Sequence, residues 1–138
     1  MENNNIIKEY DERNNLIHHK DSNGYEEWWE YNEKGNLIHY KNSNGYEQWR
    51  EYDERNNLIH HKDNTGFEEC NDYNEKGNKI HYKNSDGYEE WWEYDENNNL
   101  IFRKIKVKSY NKNFILIKEW KYDNIGREIY YCKVKEYE

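Results

Sequence analysis

Aromatic and aliphatic residues return at a fixed interval of 21 residues along most of the chain, separated by charged and amide side chains. One slot of this repeat always holds tyrosine and another always holds isoleucine. The tyrosines are Tyr10, Tyr31, Tyr52, Tyr73 and Tyr94, and the isoleucines are Ile17, Ile38, Ile59, Ile80 and Ile101. A period of this length is typical of one supersecondary unit stacked along an axis.

Two short segments in each repeat have the composition of β-strands. In the second repeat these are residues 37–41, with β-branched Ile38, and residues 46–52, with aromatic residues two to three positions apart. Both segments are bounded by turn residues, and neither is long enough for a stable helix. Each repeat is therefore predicted to be a β-hairpin, and the chain to be an all-β meander of about a dozen antiparallel strands.

The predicted loops share one turn pattern. Each begins with Asp or Asn and has Gly or Asn in the fourth place, as in a type I turn followed by a left-handed residue. One kind of loop covers residues 21–24, 42–45, 63–66 and 84–87, and the other kind has Asn14, Gly35, Asn56, Gly77 and Asn98 in the fourth place.

The length of the loops decides which side chains share a face of the sheet. If both loops hold three residues, equivalent residues alternate between faces from one repeat to the next. If one loop holds an even number of residues, every repeat presents the same face. The constant tyrosine and isoleucine slots favour the even loop. This choice predicts two groups on opposite faces: Leu16, His18, Tyr25, Trp29 and Tyr31 on one, and Ile17, His19, Glu26, Trp28 and Glu30 on the other.

Neither predicted face is cleanly apolar, so a thick sandwich core is not expected. The sequence favours a single-layer twisted sheet held by aromatic and Lys–Glu cross-strand pairs. We divide the chain into a hairpin repeat region, residues 1–101, and a C-terminal β cap, residues 102–138. The repeats begin near residues 9, 30, 51, 72 and 93, and the cap contains the most hydrophobic run, residues 114–117.

The Tyr-Asp pair, the turn ending in Gly or Asn, the aliphatic pair and the second Gly resemble the YD repeat of Rhs-type proteins. Residues 122–129 of the tail match this pattern closely. A looser similarity exists to MORN-type hairpin repeats and to aromatic cell-wall-binding repeats. The resemblance implies β-hairpin repeats in a curved sheet without catalysis of their own. Rhs shells use many more repeats to enclose a toxin, so a shell function is not expected from five repeats.

Charge is distributed unevenly, which the formal net charge of −8 hides. Residues 1–101 carry 24 acidic and 11 basic side chains, a balance of −13, whereas residues 102–138 carry 5 and 10, a balance of +5. Such a body repels nucleic acid and attracts a basic protein surface. The N-terminus lacks the pattern of a signal peptide and no apolar stretch is long enough to span a membrane, so we expect a cytoplasmic protein, in the host cytoplasm if phage-encoded.

The histidines, cysteines and carboxylates are the side chains that could bind a metal or take part in catalysis. Equivalent histidines lie two strands apart, about 9.6 Å, too far to share a zinc ion, so no metal and no cofactor is predicted and the histidines are expected to pack against Trp and Tyr. Cys70 and Cys132 are predicted to be free thiols. Glycoside hydrolysis needs one unique carboxyl pair, which a repeat does not offer, so no enzyme is predicted.

The remaining candidates are aromatic residues beside glutamates. Trp28, Trp49, Cys70 and Trp91 share one slot, expected to pack the sheet; Trp29, Arg50, Asn71 and Trp92 share the next, expected to face solvent or a partner. The predicted partner-binding residues are Trp28, Trp29, Trp49, Arg50, Trp91, Trp92, Glu26, Glu27, Glu30, Glu47, Glu89 and Glu90. Tryptophan that a partner can bury is a common hot spot.

These features predict a non-enzymatic inhibitor that occupies the basic, nucleic-acid-binding surface of a nuclease or toxin. An immunity or antitoxin protein and a phage anti-CRISPR-like protein both fit this description. The alternative is a glycan-binding or cell-wall-binding module whose aromatic rings stack on sugars. An exposed N-terminal edge strand also makes a homodimer possible.

Overall fold

The computed structural model describes residues 6–108, 114–123 and 126–136. These residues form strands joined by turns. The strands are β1 (Ile7–Tyr10), β2 (Leu16–Lys20), β3 (Glu26–Tyr31), β4 (Leu37–Asn42), β5 (Glu47–Tyr52), β6 (Leu58–Asp63), β7 (Glu68–Tyr73), β8 (Lys79–Asn84), β9 (Tyr88–Tyr94), β10 (Leu100–Lys108), β11 (Phe114–Tyr122) and β12 (Glu128–Glu136). No helix in the described part of the chain is long and apolar enough to cross a membrane.

The chain forms two compact units, Met1–Glu68 and Glu69–Glu138. In the first unit β1 to β6 follow one another as antiparallel neighbours, and in the second unit β7 to β12 do the same. The predicted all-β antiparallel meander of 21-residue hairpins is therefore confirmed. The division into repeat region and C-terminal cap stays a prediction.

Both kinds of loop have the same construction, as the Asp53 loop shows. The backbone N–H of Asn56 donates to the Asp53 carbonyl at 3.1 Å, and that of Asp53 donates to the Asn57 carbonyl at 3.0 Å. The Asp53 carboxylate accepts from the N–H groups of Arg55 and Asn57 at 2.9 and 2.8 Å. Asp or Asn therefore starts each loop because its side chain replaces missing backbone acceptors.

The fourth loop residue is left-handed throughout, as predicted. Positive φ angles occur at Asn14, Gly24, Gly35, Gly45, Asn56, Gly66, Gly77, Gly87, Asn98 and Gly126. Only Gly tolerates this conformation freely, and Asn tolerates it better than most residues.

The isoleucine of each repeat is the extra residue of a β-bulge. Glu30 lies opposite His39 and Tyr31 lies opposite Leu37, so Ile38 has no partner on the neighbouring strand. The strand pairing likewise leaves four other isoleucines without an opposite residue, namely Ile17, Ile59, Ile80 and Ile101. The bulge makes the connection from Glu30 to His39 eight residues long, whereas that from Lys20 to Glu26 is five residues long. Because one connection has an even and the other an odd number of residues, the equivalent residues of successive repeats lie on the same face of the sheet.

The preference for an even loop is thus correct, but the predicted face groups are wrong at both histidines. His18 lies opposite Trp28, and His19 lies opposite Glu27. The bulge at Ile17 shifts the rest of β2 by one residue, which exchanges His18 and His19 between the faces. The sequence-based alternation did not allow for this extra residue.

No apolar side chain is buried in residues 6–108, 115–123 and 126–128. The only buried residues there are Asn71 and Glu90, which are 3% and 5% exposed. The absence of a sandwich core agrees with the expected single layer. Lys–Glu pairs also cross the strands as predicted, for example Lys20 with Glu26 at 2.9 Å and Lys104 with Glu119 at 3.2 Å.

We expect Gly45→Ala to lower the free energy of unfolding by about 1 kcal/mol, because φ at Gly45 is +85° and the left-handed region penalises a Cβ. A Cβ at this position would meet no atom within 4 Å, so the cost is conformational. Asn44→Ala, at the exposed neighbouring position, is the control and leaves stability nearly unchanged. Urea denaturation measures both variants, and equal stabilities would contradict the turn assignment.

Candidate protein-binding surface

In the first four repeats one histidine links carboxylates on both neighbouring strands. In β4, His39 Nδ1 lies 3.0 Å from Glu30 and Nε2 lies 2.8 Å from Glu47. Equivalent contacts join His18 to Glu9 and Glu26, His60 to Glu51 and Glu68, and His81 to Asp72 and Glu89. We call these contacts the histidine–carboxylate ladder, and the face that carries them the histidine face of each unit. An imidazolium, which donates from both nitrogens, satisfies both carboxylates at once.

The tryptophans of the histidine face lie between two cationic or aromatic neighbours. Trp28 of β3 stacks on His18 of β2 with ring centroids 5.3 Å apart and an interplanar angle of 7°. On the opposite side, Lys41 Nζ of β4 lies 5.4 Å from the indole centroid. Trp49 lies in the same way between His39 and Lys62, and Trp91 lies between His81 and Lys104. The predicted packing of histidine against tryptophan is confirmed at these positions.

The electrostatic environments of His39 and His60 favour the protonated imidazole. Burial lowers the pKa of His39, but hydrogen bonds to Glu30 and Glu47 outweigh burial and hold the pKa above its ordinary 6.5. The hydrogen bond to Glu68 is the main reason that the pKa of His60 is also raised. Hydrogen bonds from Lys20 and then His18 lower the pKa of Glu26 below its ordinary 4.5.

The carboxylates of the histidine face fall into two rows. Glu26 and Glu47 form an inner row; their side chains are 25% and 37% exposed, and Lys20 and Lys41 lie opposite them. An outer acidic row stands next to the constant tyrosine slot. Its members are Glu9, Glu30 and Glu51 in the first unit, with 61%, 65% and 67% exposure, and Asp72 and Glu93 in the second.

The other face, which we call the tyrosine face, contains different pairs. The Tyr40 hydroxyl donates to Glu27 at 2.8 Å, and the Tyr40 ring lies 5.7 Å from Trp29. In the next repeat the equivalent pair is Gln48 with His61, at 2.9 Å. Amide–imidazole pairing thus replaces carboxylate–phenol pairing where the sequence alternates between His and Tyr.

In the second unit the tyrosine face holds a buried carboxylate. Glu90 accepts short hydrogen bonds from the Tyr88 hydroxyl and from Arg103 Nε. The Arg103 guanidinium lies 4.9 Å from the Trp120 ring centroid. Burial, followed by the hydrogen bond to Glu90, raises the pKa of Tyr88 to about 12. These contacts bury the Glu90 charge in a pair rather than present it to a ligand.

The predicted binding residues do not form one patch, because the two faces divide them. Trp28, Trp49, Trp91, Glu26, Glu30, Glu47 and Glu89 belong to the histidine face, and Trp29, Arg50, Trp92, Glu27 and Glu90 belong to the tyrosine face. The expectation that the second slot faces solvent or a partner is wrong at Asn71, which is buried.

Sequence reasoning missed four members of the outer acidic row, namely Glu9, Glu51, Asp72 and Glu93. The signal was present, because an acidic residue precedes the constant tyrosine in every repeat. Its meaning depends on alignment across strands, which the proximity of glutamates to tryptophan in the sequence does not reveal.

No group of three or more His, Cys, Asp or Glu side chains that could hold a metal ion occurs in residues 6–108, 114–123 and 126–136. Cys70 is a half-buried free cysteine. The prediction for Cys132 falls outside the described side chains.

No protein-family model matches the chain, and no curated protein matches it at a significant level. Several solved structures do match the chain. A Photorhabdus luminescens Tc holotoxin pore with mutated TccC3 is 13% identical, with a TM-score of 0.56, over 92% of this chain and 9% of that chain. A crystal structure of TcdB2-TccC3-Cdc42 is also 13% identical, with a TM-score of 0.55, over 94% of this chain and 9% of that chain. These neighbours carry Rhs/YD-repeat β-sheet architecture.

The fold is that of YD-repeat (Rhs-like) β-hairpin proteins. At 13% identity the similarity shows the YD-repeat fold alone, and the chain spans 9% of the length of the chains it matches.

The ladder makes stability depend on pH. A raised histidine pKa contributes stability that is fully present below 6.5 and is lost as the pH rises through the folded-state pKa. The lowered pKa of Glu26 acts in the opposite sense, since its contribution is present above 4.5 and lost as the pH falls.

We therefore expect the melting temperature to fall between about pH 6 and about pH 8, and to fall much less in the double variant His39→Gln, His60→Gln. Thermal denaturation followed by circular dichroism measures the difference. Tyr40→Phe, on the same strand as His39 but on the tyrosine face, is the control and keeps the wild-type slope. An unchanged slope in the double variant would exclude the ladder as its source.

Proposed function

We propose that this YD-repeat protein is a non-enzymatic inhibitor that binds a basic, nucleic-acid-binding surface of a partner protein in the cytoplasm. The outer acidic row is the observation that carries the proposal. An immunity or antitoxin protein and an anti-CRISPR-like protein are the two biological forms of such an inhibitor.

Charge supports this choice of partner. Glu9, Glu30 and Glu51 occupy one slot in successive hairpins, and each side chain is more than 60% exposed. Residues 1–101 carry a charge balance of −13, which repels nucleic acid and increases the rate of encounter with a basic protein. Half-buried tryptophans beside the row add apolar area that slows dissociation.

The geometry gives little support to catalysis. Each His–carboxylate group recurs in several repeats with the same neighbours, whereas a catalytic centre needs a single constellation with separated pKa values. A cavity of about 610 Å³ in the second unit is lined by Asp95, Leu100, Tyr122 and Asp123, among others. The carboxylates of Asp95 and Asp123 accept hydrogen bonds within their own turns. The donors are the backbone N–H groups of Asn99 and Arg127, each at 2.8 Å.

The glycan-binding alternative has weaker support, because sugar rings stack on an open aromatic face. Trp28, Trp49 and Trp91 each have a histidine on one side and a lysine on the other. The ring faces that a sugar would stack on are therefore already in contact with protein side chains.

A capture experiment tests the proposal. Immobilised wild-type protein is expected to retain a basic nucleic-acid-binding protein from nuclease-treated lysate of its host, and to release it between about 0.05 M and about 0.5 M salt because exposed charges are screened. The purified partner should then lose binding to labelled nucleic acid as the YD-repeat protein is added. The triple variant Glu9→Gln, Glu30→Gln, Glu51→Gln should neither retain the partner nor compete.

A matched variant controls for charge alone. Glu12→Gln, Glu33→Gln and Glu54→Gln remove the same charge from exposed loop positions at the same interval. The proposal fails if no basic protein is captured, or if a captured protein binds nucleic acid equally well in the presence of the inhibitor. Trp emission that shifts on addition of soluble glycans would instead favour the alternative.

A further inference from the structure

The outer acidic row has a fixed spacing that constrains what can bind it. Glu9, Glu30 and Glu51 lie in one register on β1, β3 and β5, each opposite a histidine of the following strand. Neighbouring strands are about 4.8 Å apart, so successive carboxylates of the row lie about 9.6 Å apart. All three belong to the first compact unit.

Other carboxylate rows share this interval but are already compensated. On the inner row, Glu26 forms an ion pair with Lys20 at 2.9 Å, and Lys41 lies opposite Glu47. On the loop edge, Glu12, Glu33 and Glu54 each precede an arginine or a lysine in sequence. The loop cations also donate to backbone carbonyls of the next loop, as Arg13 does to Glu33 and Lys34 does to Glu54. On the outer row, Glu9, Glu30 and Glu51 form ion pairs with His18, His39 and His60 rather than with Lys or Arg in the part of the chain that the structure describes.

A ligand that follows the row must present cations on one side at about the same interval. A polyproline II segment rises about 3.1 Å per residue with three residues per turn, so every third side chain returns to one side after about 9.3 Å. In a β-strand the third residue is about 10 Å away but points to the opposite side. In an α-helix the seventh residue along returns to the same side, after about 10.5 Å. Its side chains would therefore fall about 1 Å further out of register with the carboxylates at each successive site.

The aromatic residues beside the row suit the same ligand. Trp28 and Trp49 lie two positions from Glu30 and Glu51 on the same strands and the same face. Their ring faces contact His on one side and Lys on the other, so a ligand that follows the row would meet these rings at their edges. Proline-rich segments dock on aromatic side chains in this extended form at a low entropy cost, because the conformation already exists in the free peptide.

We propose that the first unit binds an extended, polyproline II segment of its partner that carries Lys or Arg at every third position and lies across the strands along Glu9, Glu30 and Glu51. This inference rests on the proposed function and specifies the part of the partner that is recognised. Partner cations take over the exposed carboxylate oxygens of the row, and the intervening prolines contact the edges of Trp28 and Trp49.

Synthetic peptides of equal composition test the spacing. One peptide repeats Lys-Pro-Pro, and the other holds the same lysines in one block followed by the prolines. We expect the repeating peptide to bind the full-length protein about tenfold more tightly at low salt, since several surface ion pairs form together only when the spacings match. Fluorescence anisotropy of labelled peptides gives the dissociation constants.

Matched variants locate the site. Glu9→Gln, Glu30→Gln, Glu51→Gln should remove the preference for the repeating peptide, whereas Glu12→Gln, Glu33→Gln, Glu54→Gln should keep it. Circular dichroism and melting temperature establish that both triple variants fold. Broadened or shifted indole NMR signals of Trp28 and Trp49, with Trp29 on the opposite face unmoved, provide a second measure of the docking position.

The possible failures separate the two proposals. Equal affinity for both peptides, lost in the outer-row variant, overturns the spacing inference and leaves binding to a basic partner in place. Loss of binding in the loop variant instead overturns the assignment to the histidine face. If neither peptide binds while the capture experiment yields a basic partner, the extended-segment inference fails alone; if both experiments are negative, both proposals fall.

Discussion

Strand register is the constraint on which the rest of this structure depends. No apolar side chain is buried in residues 6–108, 115–123 and 126–128, so a buried apolar core does not hold this part of the sheet together. Its side-chain stabilisation comes from contacts between residues directly opposite one another on adjacent strands. A displacement by one residue would separate the histidines of the histidine face from their carboxylates and the tryptophans of that face from their lysines. The loops therefore have a structural task equal to that of the strands.

The loops perform this task with hydrogen bonds rather than bulk. An Asp or Asn side chain satisfies two backbone donors in each turn, and a left-handed residue directs the chain back into the next strand. Because the same turn construction recurs at both ends of the strands, the register of each hairpin is set by its own turn. This local control suits a chain rich in charged side chains, in which long-range hydrophobic collapse would give little guidance.

Much of this architecture could be predicted from the sequence because turn chemistry is local. The Asp or Asn start and the Gly or Asn fourth position identified the loops, and the invariant slots indicated a constant environment. The faces could not be assigned because the bulge at Ile17 and its equivalents adds one residue without changing the pattern of side-chain types. The outer acidic row was missed for a related reason: Glu9 and Glu30 become neighbours through pairing across strands, which a linear reading of tryptophan-adjacent glutamates does not show.

The bulged isoleucine also bears on how such a chain could change its length. A unit with an odd number of residues and simple alternation would turn its side chains over at every copy, so that only a pair of units would restore the original sides. One extra residue per unit removes this parity. Gain or loss of a single 21-residue unit then leaves every remaining side chain on the side it already occupied, and the acidic row grows or shrinks by one member at a time.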